Sequence, residues 1–472
     1  MSLYHSEKRH YDRRKDMFTM DLVGKYVLVA GCGISGIASA KLLDQIGARV
    51  ILFDTNENLQ KEDVLHKFGT DIDVEIVLGS IGDELAEKLD LVVLSPGIPV
   101  DADFVNKLRD KALPIWGEIE LAYQFAKGRI AAITGTNGKT TTTALTGEIM
   151  RNYFKSVFVV GNIGNAYTKE ALYTVEDSVT VAEISSFQLE TIHDFLPHVA
   201  AILNITPDHL NRHHTMEAYV EAKESIVKNQ TKDDYCVLNY EDAYTRDFGN
   251  RAPGTVIWFS SARKLKNGFY LDEDVIYKAV DGEAKALLNI AETKLLGVHN
   301  MENIMAAIAI CEAFGVPMES ILDSVRAFRA VEHRIEYVAT KKGVDYYNDS
   351  KGTNPDAAIK GIQAMNKPTI LIGGGYDKES TYDEWIESFD GKVKLFVLIG
   401  QTKEKIAECA KAHGVENIIL AESFEEAMDI CVKESRAGDA VLLSPACASW
   451  GMFPNYEVRG NRFKEIVHAI EE

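Results

Sequence analysis

The chain is short of basic side chains, of paired cysteines and of long apolar runs. It has 51 Lys and Arg residues against 71 Asp and Glu residues among 472, so its formal net charge is −20. Nucleic acids and anionic membranes are themselves negatively charged, so such a chain is a poor general ligand for either. We therefore expect no nucleic-acid partner, and any anionic ligand requires a local concentration of lysine and arginine.

The six cysteines are scattered, and no two of them form a C-x-x-C pair. This usage favours reduced thiols in a cytoplasm, with structural disulfides as the weaker alternative. No apolar run is long enough to span a bilayer, and residues 1–20 lack the apolar core of a signal peptide. We predict a cytoplasmic monomer of several domains without stable membrane association, in which residues 1–20 form a flexible extension.

What the chain does contain is a phosphate-binding pattern within Arg129–Thr143. The pattern predicts a buried strand, the glycine turn Gly135–Gly138 and a helix that starts at Lys139. The first N–H groups of a helix lack internal partners and attract anions, while Lys139 supplies a cation and Thr140 a hydroxyl for Mg²⁺. Ile133 stands where the full phosphate-loop pattern has its first glycine. We predict a nucleotide-phosphate site; the alternative is an ordinary strand-to-helix turn.

A second glycine-rich turn lies near the start of the chain. The predicted strand Tyr26–Ala30 runs into Gly31–Gly36, which has the pattern G-x-G-x-x-G, and the next strand ends at Asp54. This is the fingerprint of a dinucleotide-binding unit, but any ligand with phosphates and a sugar satisfies it. A further strand ends at Ser95. Because parallel strands end at the same edge of a sheet, we expect a ligand there.

Several polar side chains of the middle region follow predicted strands or begin helices. Glu183 ends an apolar strand, where either a Mg²⁺ ligand or a buried hydrogen-bonded carboxylate is expected. His209 ends another strand and has a metal, phosphate or structural role. Lys223 lies in a helix among three glutamates, and this spacing alone predicts a solvated lysine. Asn300 and Asn303 stand at helix-capping spacing.

A third pattern of alternating strands and helices begins after Ala330 and predicts a doubly wound sheet. Two strands run into the polar loops Asn348–Asn354 and Ser444–Ser449. Cys447 has no histidine near it in the pattern, so a small packed residue is a better interpretation than a nucleophile. Arg334 is either a phosphate ligand or a surface residue.

From about Val23 to the C-terminus, the chain resembles the Mur ligases of peptidoglycan synthesis. The motifs that carry the resemblance are Gly135–Thr140, Gly161–Asn162, Glu183–Glu190, Asp208–His209, His299–Asn303, His333–Arg334, Asn348–Asn354 and Ser444–Ser449. The last two resemble the member that adds D-glutamate. The resemblance implies an α/β fold of three domains, each a mostly parallel sheet flanked by helices. These are a Rossmann-like domain at 1–117 for the UDP-linked substrate, a P-loop ATPase-like domain at 118–330 for ATP, and a Rossmann-like domain at 331–472 for the amino acid.

The resemblance also implies roles for individual residues. UDP-substrate contacts are Gly33, Ile34, Ser35, Asp54, Thr55, Ser95, Pro96, Gly97, Asn162, Ser185 and Gln188. ATP contacts are Gly135, Thr136, Asn137, Gly138, Lys139, Thr140, Thr141, Asn300, Asn303, Arg334, Asp349 and Lys351. D-glutamate contacts are Thr353, Lys378, Ser449, Trp450 and Tyr456. The catalytic set is Lys139, Glu183, His209 and Lys223, and two Mg²⁺ ions are assigned to Thr140, Glu183, His209 and a carbamate on Lys223. Asn211 stands where Asp is commoner in the family, and Tyr456 where Phe occurs in some members; neither departure removes a charge that the chemistry must have.

The activity that the resemblance implies is ATP-dependent addition of D-glutamate to UDP-N-acetylmuramoyl-L-alanine (UDP-MurNAc-L-Ala). It proceeds through an acyl phosphate and releases ADP and phosphate. Three alternatives remain: another amide ligase of the superfamily, a nicotinamide-dependent oxidoreductase that uses Gly31–Asp54, and a nucleotide-binding protein without catalysis. Only the ligase uses features of all three predicted domains.

Overall fold

The structure is a computed structural model that describes residues 21–69, 72–329 and 331–471. The predicted extension at residues 1–20 and the predicted boundary residue Ala330 lie outside the described residues, as does the side chain of Asn211.

Contacts divide the chain into two compact units, which are described separately. Of the described residues, the first unit comprises those within Met1–Ile290 and Glu302–Arg326, and the second those within Ala291–Met301 and Ala327–Glu472.

The first unit begins with a five-stranded sheet. Its strands are β1 (Tyr26–Ala30), β2 (Arg49–Asp54), β3 (Val74–Leu78), β4 (Leu91–Leu94) and β5 (Ile115–Gly117). They pair in parallel in the order β3-β2-β1-β4-β5. The accompanying helices are α1 (Ile34–Gln45), α2 (Lys61–His66), α3 (Asp83–Ala86), α4 (Asp103–Asp110) and α5 (Glu118–Phe125). Because the strand order reverses at β1, a crevice forms outside the carboxyl ends of β1 and β4.

Alternation along β1 shows how this sheet is covered. Val27 and Val29 belong to one buried cluster, whereas Leu28 and Ala30 belong to another. Successive side chains of a strand point to opposite faces, so both faces of the sheet are packed, as parallel sheets require. The first of these clusters also contains Tyr167 from the next part of the unit, so the two sheets of this unit share a core.

The rest of the first unit is built on a nine-stranded sheet. Its strands are β6 (Arg129–Thr134), β7 (Val157–Gly161), β8 (Val179–Glu183), β9 (Val199–Ile202), β10 (Tyr235–Asn239), β11 (Thr255–Ser260), β12 (Gly268–Asp272), β13 (Val275–Val280) and β14 (Glu283–Asn289). The order is β14-β13-β12-β11-β10-β9-β6-β8-β7, with antiparallel pairing only at β12-β13 and β13-β14. The helices are α6 (Lys139–Tyr153), α7 (Tyr167–Glu170), α8 (Ser186–Leu189), α9 (Leu210–His213), α10 (Met216–Glu224), α11 (Ala243–Phe248), α12 (Val298–Ala313) and α13 (Met318–Ala327). The first four residues of α12 and the last residue of α13 are assigned to the second unit.

The second unit contains a six-stranded sheet. Its strands are β15 (Glu336–Lys341), β16 (Val344–Asn348), β17 (Thr369–Gly374), β18 (Val393–Ile399), β19 (Ile418–Leu420) and β20 (Ala440–Leu443). They lie in the order β15-β16-β20-β17-β18-β19, and only the edge strand β15 is antiparallel to its neighbour. The helices are α14 (Pro355–Gln363), α15 (Asp383–Glu387), α16 (Lys403–Ala412), α17 (Phe424–Glu434) and α18 (Tyr456–Ala469).

These three sheets confirm the predicted fold class of mostly parallel sheets flanked by helices. The predicted edge also exists, because Ala30 pairs with Phe53 and with Leu94, so β1, β2 and β4 end side by side. Among the described residues, no helix is both long enough and apolar enough to cross a membrane.

Candidate functional site

The phosphate-binding pattern folds as predicted into β6, a glycine turn and α6. Gly138 is the residue before the first helical turn and has a left-handed φ of 84°. This backbone conformation favours glycine, and a Cβ atom at this position would lie 2.2 Å from Asn303 Oδ1, so a larger residue would also displace the Asn303 side chain. No side chain caps α6, and the N-terminus of a helix is a favourable place for an anion.

Hydrogen bonds from neighbouring elements and from Lys139 itself fix the conformation of the turn Gly135–Gly138. Thr136 donates its N–H to the carbonyl of Asn204, and its hydroxyl lies 3.0 Å from the Tyr219 hydroxyl. Lys139 Nζ donates to the carbonyl oxygens of Gly135 and Thr136, each at 2.8 Å. The lysine therefore folds over the turn, where its charge meets any anion bound to the helix N-terminus.

Lys223 lies beneath the same turn, in α10, with only 1% of its surface exposed. Its Nζ donates to the Gly135 carbonyl at 2.8 Å and lies 4.6 Å from the centre of the Tyr219 ring. Burial holds the pKa of the Lys223 ammonium well below its usual range, and the charge of Lys139 lowers it further. The prediction of a solvated lysine, made from helical spacing alone, is wrong. The neighbouring Glu224 pairs instead with Arg251, at 2.7 Å.

Glu183 is the last residue of β8 and is 1% exposed. It is paired in register with Ile133 of β6, two residues before the glycine turn. Its Oε1 accepts a hydrogen bond from Asn162 Nδ2 at 2.8 Å, whereas Oε2 is buried without a partner among the described residues. A buried carboxylate oxygen without a donor is costly unless a cation satisfies it. This oxygen therefore fits the predicted Mg²⁺ ligand better than a fully hydrogen-bonded carboxylate.

His209 precedes α9 and has a left-handed φ of 54°. Its ring packs edge-on against Phe187 at 4.9 Å, and Nε2 lies 3.5 Å from a carboxylate oxygen of Asp208. The ring is half exposed, so it is available to a ligand. Phe187 thus joins the Asp208–His209 turn to the segment that follows Glu183.

Arg212 is a residue that the sequence analysis missed. Its Nη2 donates to the carbonyl of Ile98 and to Glu190 Oε2, both at 2.7 Å, and its guanidinium lies over the Phe187 ring. Ile98 belongs to the turn after β4, so one side chain ties the edge of the first sheet to the region around His209. No motif or spacing distinguishes this arginine, because both partners are distant in sequence.

The glycine-rich turn of the first sheet borders a cavity of about 520 Å³. Its lining includes Asp54, Thr55 and Gly97, which the resemblance assigns to the UDP-linked substrate. Gly31, at the predicted end of the first strand, also lines it. Phe53 and Phe104, whose rings are 5.0 Å apart, add apolar surface, and Lys107 adds a positive charge. A mostly apolar cavity with a few polar groups suits a nucleobase and its sugar.

Gly33 and Ile34 of this turn line a second cavity, of about 660 Å³, rather than the first. Gly33 precedes α1 and no side chain caps that helix, so its first N–H groups are open to an anion. The carboxylate of Asp54 is already used within the protein, because it accepts the N–H groups of Cys32 and Asn56, both at 3.0 Å. Gly36 allows the turn to close, since a Cβ there would lie 1.8 Å from the Gly31 carbonyl oxygen.

Ser185 and Gln188, also predicted to contact the substrate, form a capping box at the start of α8. Gln188 Oε1 accepts from the Ser185 N–H at 2.9 Å, and the Gln188 N–H donates to Ser185 Oγ. The buried Glu118 lies 3.4 Å from Gln188 Nε2. These contacts orient the helix beside Glu183.

In the second unit, the predicted site residues follow β16 and β20. Asp349 is fully buried, and its Oδ2 accepts from the Ser444 hydroxyl at 2.7 Å. Burial raises the pKa of Asp349 to about 6, and the charge of Arg334 opposes this shift. The two loops that resemble the D-glutamate-adding ligases are therefore joined by a short hydrogen bond between side chains.

Arg459 of α18 joins the same two loops through the backbone and was also missed. It is 1% exposed, and its Nη2 donates to the Ser350 carbonyl at 2.7 Å and to the Cys447 carbonyl at 3.3 Å. Its Nε donates to Ser350 Oγ at 2.9 Å. Burial lowers the pKa of Arg459 to about 10, so the group remains charged at neutral pH.

Two lysines of this unit lie over aromatic rings. Lys378 Nζ is 5.7 Å from the Trp450 ring, which is about half exposed, and Lys351 Nζ is 5.5 Å from the Tyr456 ring. Both pairs combine residues from the predicted ligand sets. Asn300 Nδ2 donates to the carbonyl of Leu296, which lies before α12.

Further predicted residues have local contacts. Thr353 donates its N–H to the Lys351 carbonyl, and Ser449 is buried. Asn303, for which helix capping was the alternative, instead accepts a hydrogen bond from the Thr142 hydroxyl at 3.2 Å.

Cys447 is buried and burial raises the pKa of its thiol, which agrees with a packed residue rather than a nucleophile. All six cysteines are free thiols.

Comparison with known proteins matches three family models in chain order. They are "Mur ligase MurD-like, N-terminal domain" at residues 25–117, "Mur ligase middle domain" at 133–311 and "Mur ligase, glutamate ligase domain" at 333–447.

Relatives match over nearly the whole chain. The chain is 58% identical to the UDP-N-acetylmuramoylalanine–D-glutamate ligase of Lachnoclostridium phytofermentans, covering 96% of this chain and 100% of the relative. Identity to the enzyme of the same name from Lachnospira eligens is 59%, with the same coverage. The solved structure of the UDP-N-acetylmuramate–alanine ligase of Thermotoga maritima has a TM-score of 0.60 at 20% identity over 95% of this chain and 100% of that one, which shows a shared fold. The chain belongs to the Mur ligase family.

Proposed function

We propose that this protein is an ATP-dependent ligase that joins D-glutamate to UDP-MurNAc-L-Ala in peptidoglycan precursor synthesis. One observation carries the proposal: Lys139 and Lys223 both donate a hydrogen bond to the carbonyl of Gly135, in the turn just before the N-terminus of α6. A surface turn has no reason to bury a second lysine there. The names of the relatives indicate which amide bond is formed.

The reaction needs charge neutralisation above all. The alanyl carboxylate attacks the γ-phosphorus of ATP to give an acyl phosphate and ADP, and the D-glutamate amine then displaces phosphate through a tetrahedral intermediate. The first step brings two anions together, so positive groups at the phosphate carry most of the catalysis. The first N–H groups of α6 and the ammonium of Lys139 supply them.

The donor set beside the loop fits Mg²⁺. The buried oxygen of Glu183 without a partner is a hard ligand, and Thr140 and His209 are the further residues that would hold the ions. When bound, Mg²⁺ would neutralise phosphate charge. Lys223 fits only after modification, since an ammonium repels a cation. Its lowered pKa favours the neutral amine, which can attack CO₂ and release a proton to leave an anionic carbamate.

The other assignments complete the proposal. We assign the UDP-linked substrate to the first-sheet cavity and to the glycine turn beside it. We assign ATP also to Asn300, Arg334, Asp349 and Lys351, and D-glutamate to Thr353, Lys378, Ser449, Trp450 and Tyr456. The domains are assigned to residues 1–117, 118–330 and 331–472. A cytoplasmic monomer is part of the same proposal.

The experiment that tests this function is phosphate release with ATP and UDP-MurNAc-L-Ala across a panel of amino acids. We expect release with D-glutamate and little with L-glutamate, L-lysine or meso-diaminopimelate. Release with another amino acid instead would indicate a different amide ligase. Bound NAD(P) in the purified protein, or ATP binding without substrate-dependent release, would favour the oxidoreductase or the non-catalytic protein.

Lys378→Ala should raise the KM for D-glutamate far more than the KM for ATP. Lys378 would neutralise the side-chain carboxylate of D-glutamate, and a charge-assisted hydrogen bond contributes about 1.5–3 kcal/mol, or roughly ten- to a hundredfold in KM. Steady-state kinetics with each substrate varied would measure this. Lys433→Ala, at an exposed lysine of α17, is the control that should change neither value. A larger effect on the KM for ATP would contradict the assignment.

A further inference from the structure

A second cluster of potential ligands lies in the second unit, among residues to which the proposed ligase chemistry gives no role. Asp383, Cys409 and His413 each offer one ligand atom, and these atoms all lie within 4.8 Å of one another. We propose that this cluster is a Zn²⁺ site that links α15 to α16. The proposal is independent of the ligase activity.

Helical spacing brings these side chains together. Asp383 and Glu387 are four residues apart on α15, and Cys409 and His413 are four residues apart at the end of α16. Residues at this spacing share a helix face. Buried residues of both helices, including Trp385 and Ile406, belong to one core cluster, so the two faces meet at the edge of a packed core. The cluster is therefore held in place by the core beneath it.

The imidazole of His413 is oriented by two carboxylates. Its Nε2 lies 3.0 Å from Asp383 Oδ1, and its Nδ1 lies 3.6 Å from Glu387 Oε1. Metal-binding histidines commonly donate their second ring N–H to a carboxylate, which fixes the ring and the tautomer. Glu387 would serve in this way while Nε2 of His413 binds the ion together with Asp383 and Cys409.

The chemistry of the donors selects the ion. A thiolate, an imidazole and a carboxylate are the ligands typical of Zn²⁺, whereas Mg²⁺ prefers oxygen atoms alone. Five of the six cysteines are buried, and only Cys409 is partly exposed, so its thiol is accessible to an ion. Three protein ligands leave a fourth position for water.

The geometry requires little adjustment. Tetrahedral Zn²⁺ with bonds of about 2.0–2.3 Å places its ligand atoms roughly 3.3–3.8 Å apart. The widest separation here is at most 4.8 Å, so the side chains need to close by about 1.5 Å at most. The side chain of Asp383 is 61% exposed and that of His413 is 26% exposed, so rotation about their side-chain bonds suffices.

The test is a Co²⁺ titration of the full-length protein in a buffer with a non-thiol reductant. Co²⁺ replaces Zn²⁺ and gives a near-ultraviolet charge-transfer band only when a thiolate is bound. We expect a band that saturates at one equivalent and disappears when Zn²⁺ is added. Cys409→Ser should abolish the band. His413→Ala and Asp383→Asn should weaken binding at least tenfold, since even residues that only support a ligand contribute roughly 10–100-fold.

Control measurements separate this site from adventitious binding. His468→Ala removes an exposed histidine of α18 in the same unit and should leave the titration unchanged. Zn²⁺ should raise the melting temperature of the wild type and of His468→Ala, but not of Cys409→Ser. Without added metal, Cys409→Ser should retain the ligase activity and melting temperature of the wild type. If that variant does not fold, His413→Ala and Asp383→Asn decide the outcome.

Absence of the band in the wild type would overturn the proposal. So would its persistence in Cys409→Ser, or unchanged Co²⁺ affinity in both His413→Ala and Asp383→Asn. In each of these cases the cluster is an ordinary hydrogen-bonded contact between His413 and Asp383.

Discussion

Lys139→Ala is expected to lower ATP-dependent phosphate release by roughly 10²–10³-fold or more, because removal of one preorganised donor to developing charge costs about that much. The amine lies 2.8 Å from two carbonyl oxygens of the phosphate-binding turn. It therefore needs only to exchange these acceptors for phosphate oxygens. The measurement is phosphate release with saturating UDP-MurNAc-L-Ala and D-glutamate.

The matched control is Lys155→Ala, which removes an exposed lysine just beyond the other end of α6. It leaves the phosphate-binding turn intact and should turn over at the wild-type rate. Normal turnover in Lys139→Ala would refute the assignment of the turn to ATP.

Lys223→Ala is the second substitution with a large expected effect, a loss of roughly 10²–10³-fold in kcat, since a group beside the transferred phosphate is removed. Formate or acetate should restore part of the activity, because a small carboxylate can occupy the space of the missing carbamate. The measurement is phosphate release as a function of acid concentration.

Lys223→Met is the informative companion to this variant. It fills the same buried space with an apolar side chain, so it should be as inactive as Lys223→Ala but should not respond to added acid. Lys232→Ala, at an exposed lysine, should behave as the wild type. Full activity of Lys223→Ala, or equal stimulation of both buried variants, would show that Lys223 has no such role.

Features local in sequence could be predicted well. The turn Gly135–Gly138 was identified from its glycines and the residues that follow. A strand end, a tight turn and a helix start are each determined by a few residues that are close together in sequence. The edge formed by the ends of β1, β2 and β4 followed from the parallel pattern. Its cavity could not be sized, because Phe53 and Phe104 approach one another only in the folded sheet.

Features that depend on distant contacts could not be read from spacing. The glutamates around Lys223 indicated a surface lysine, since helical spacing describes neighbours on one helix and not what covers it. The covering groups are Tyr219 and the Gly135 carbonyl, and the latter is 88 positions away. Only the family resemblance marked Lys223 for a role. Arg212 and Arg459 were missed for the same reason, because their partners lie on other elements.

The way Arg459 binds the two loops of the second unit has a consequence for protein engineering. Three of its four hydrogen bonds are to main-chain carbonyls, of Ser350 and Cys447, which every amino acid possesses. Side chains along both loops can thus be exchanged while the backbone stays anchored to α18. A library that randomises the neighbouring positions but keeps Arg459 should therefore retain folded variants, and it is the natural starting point for a ligase that accepts a different amino acid.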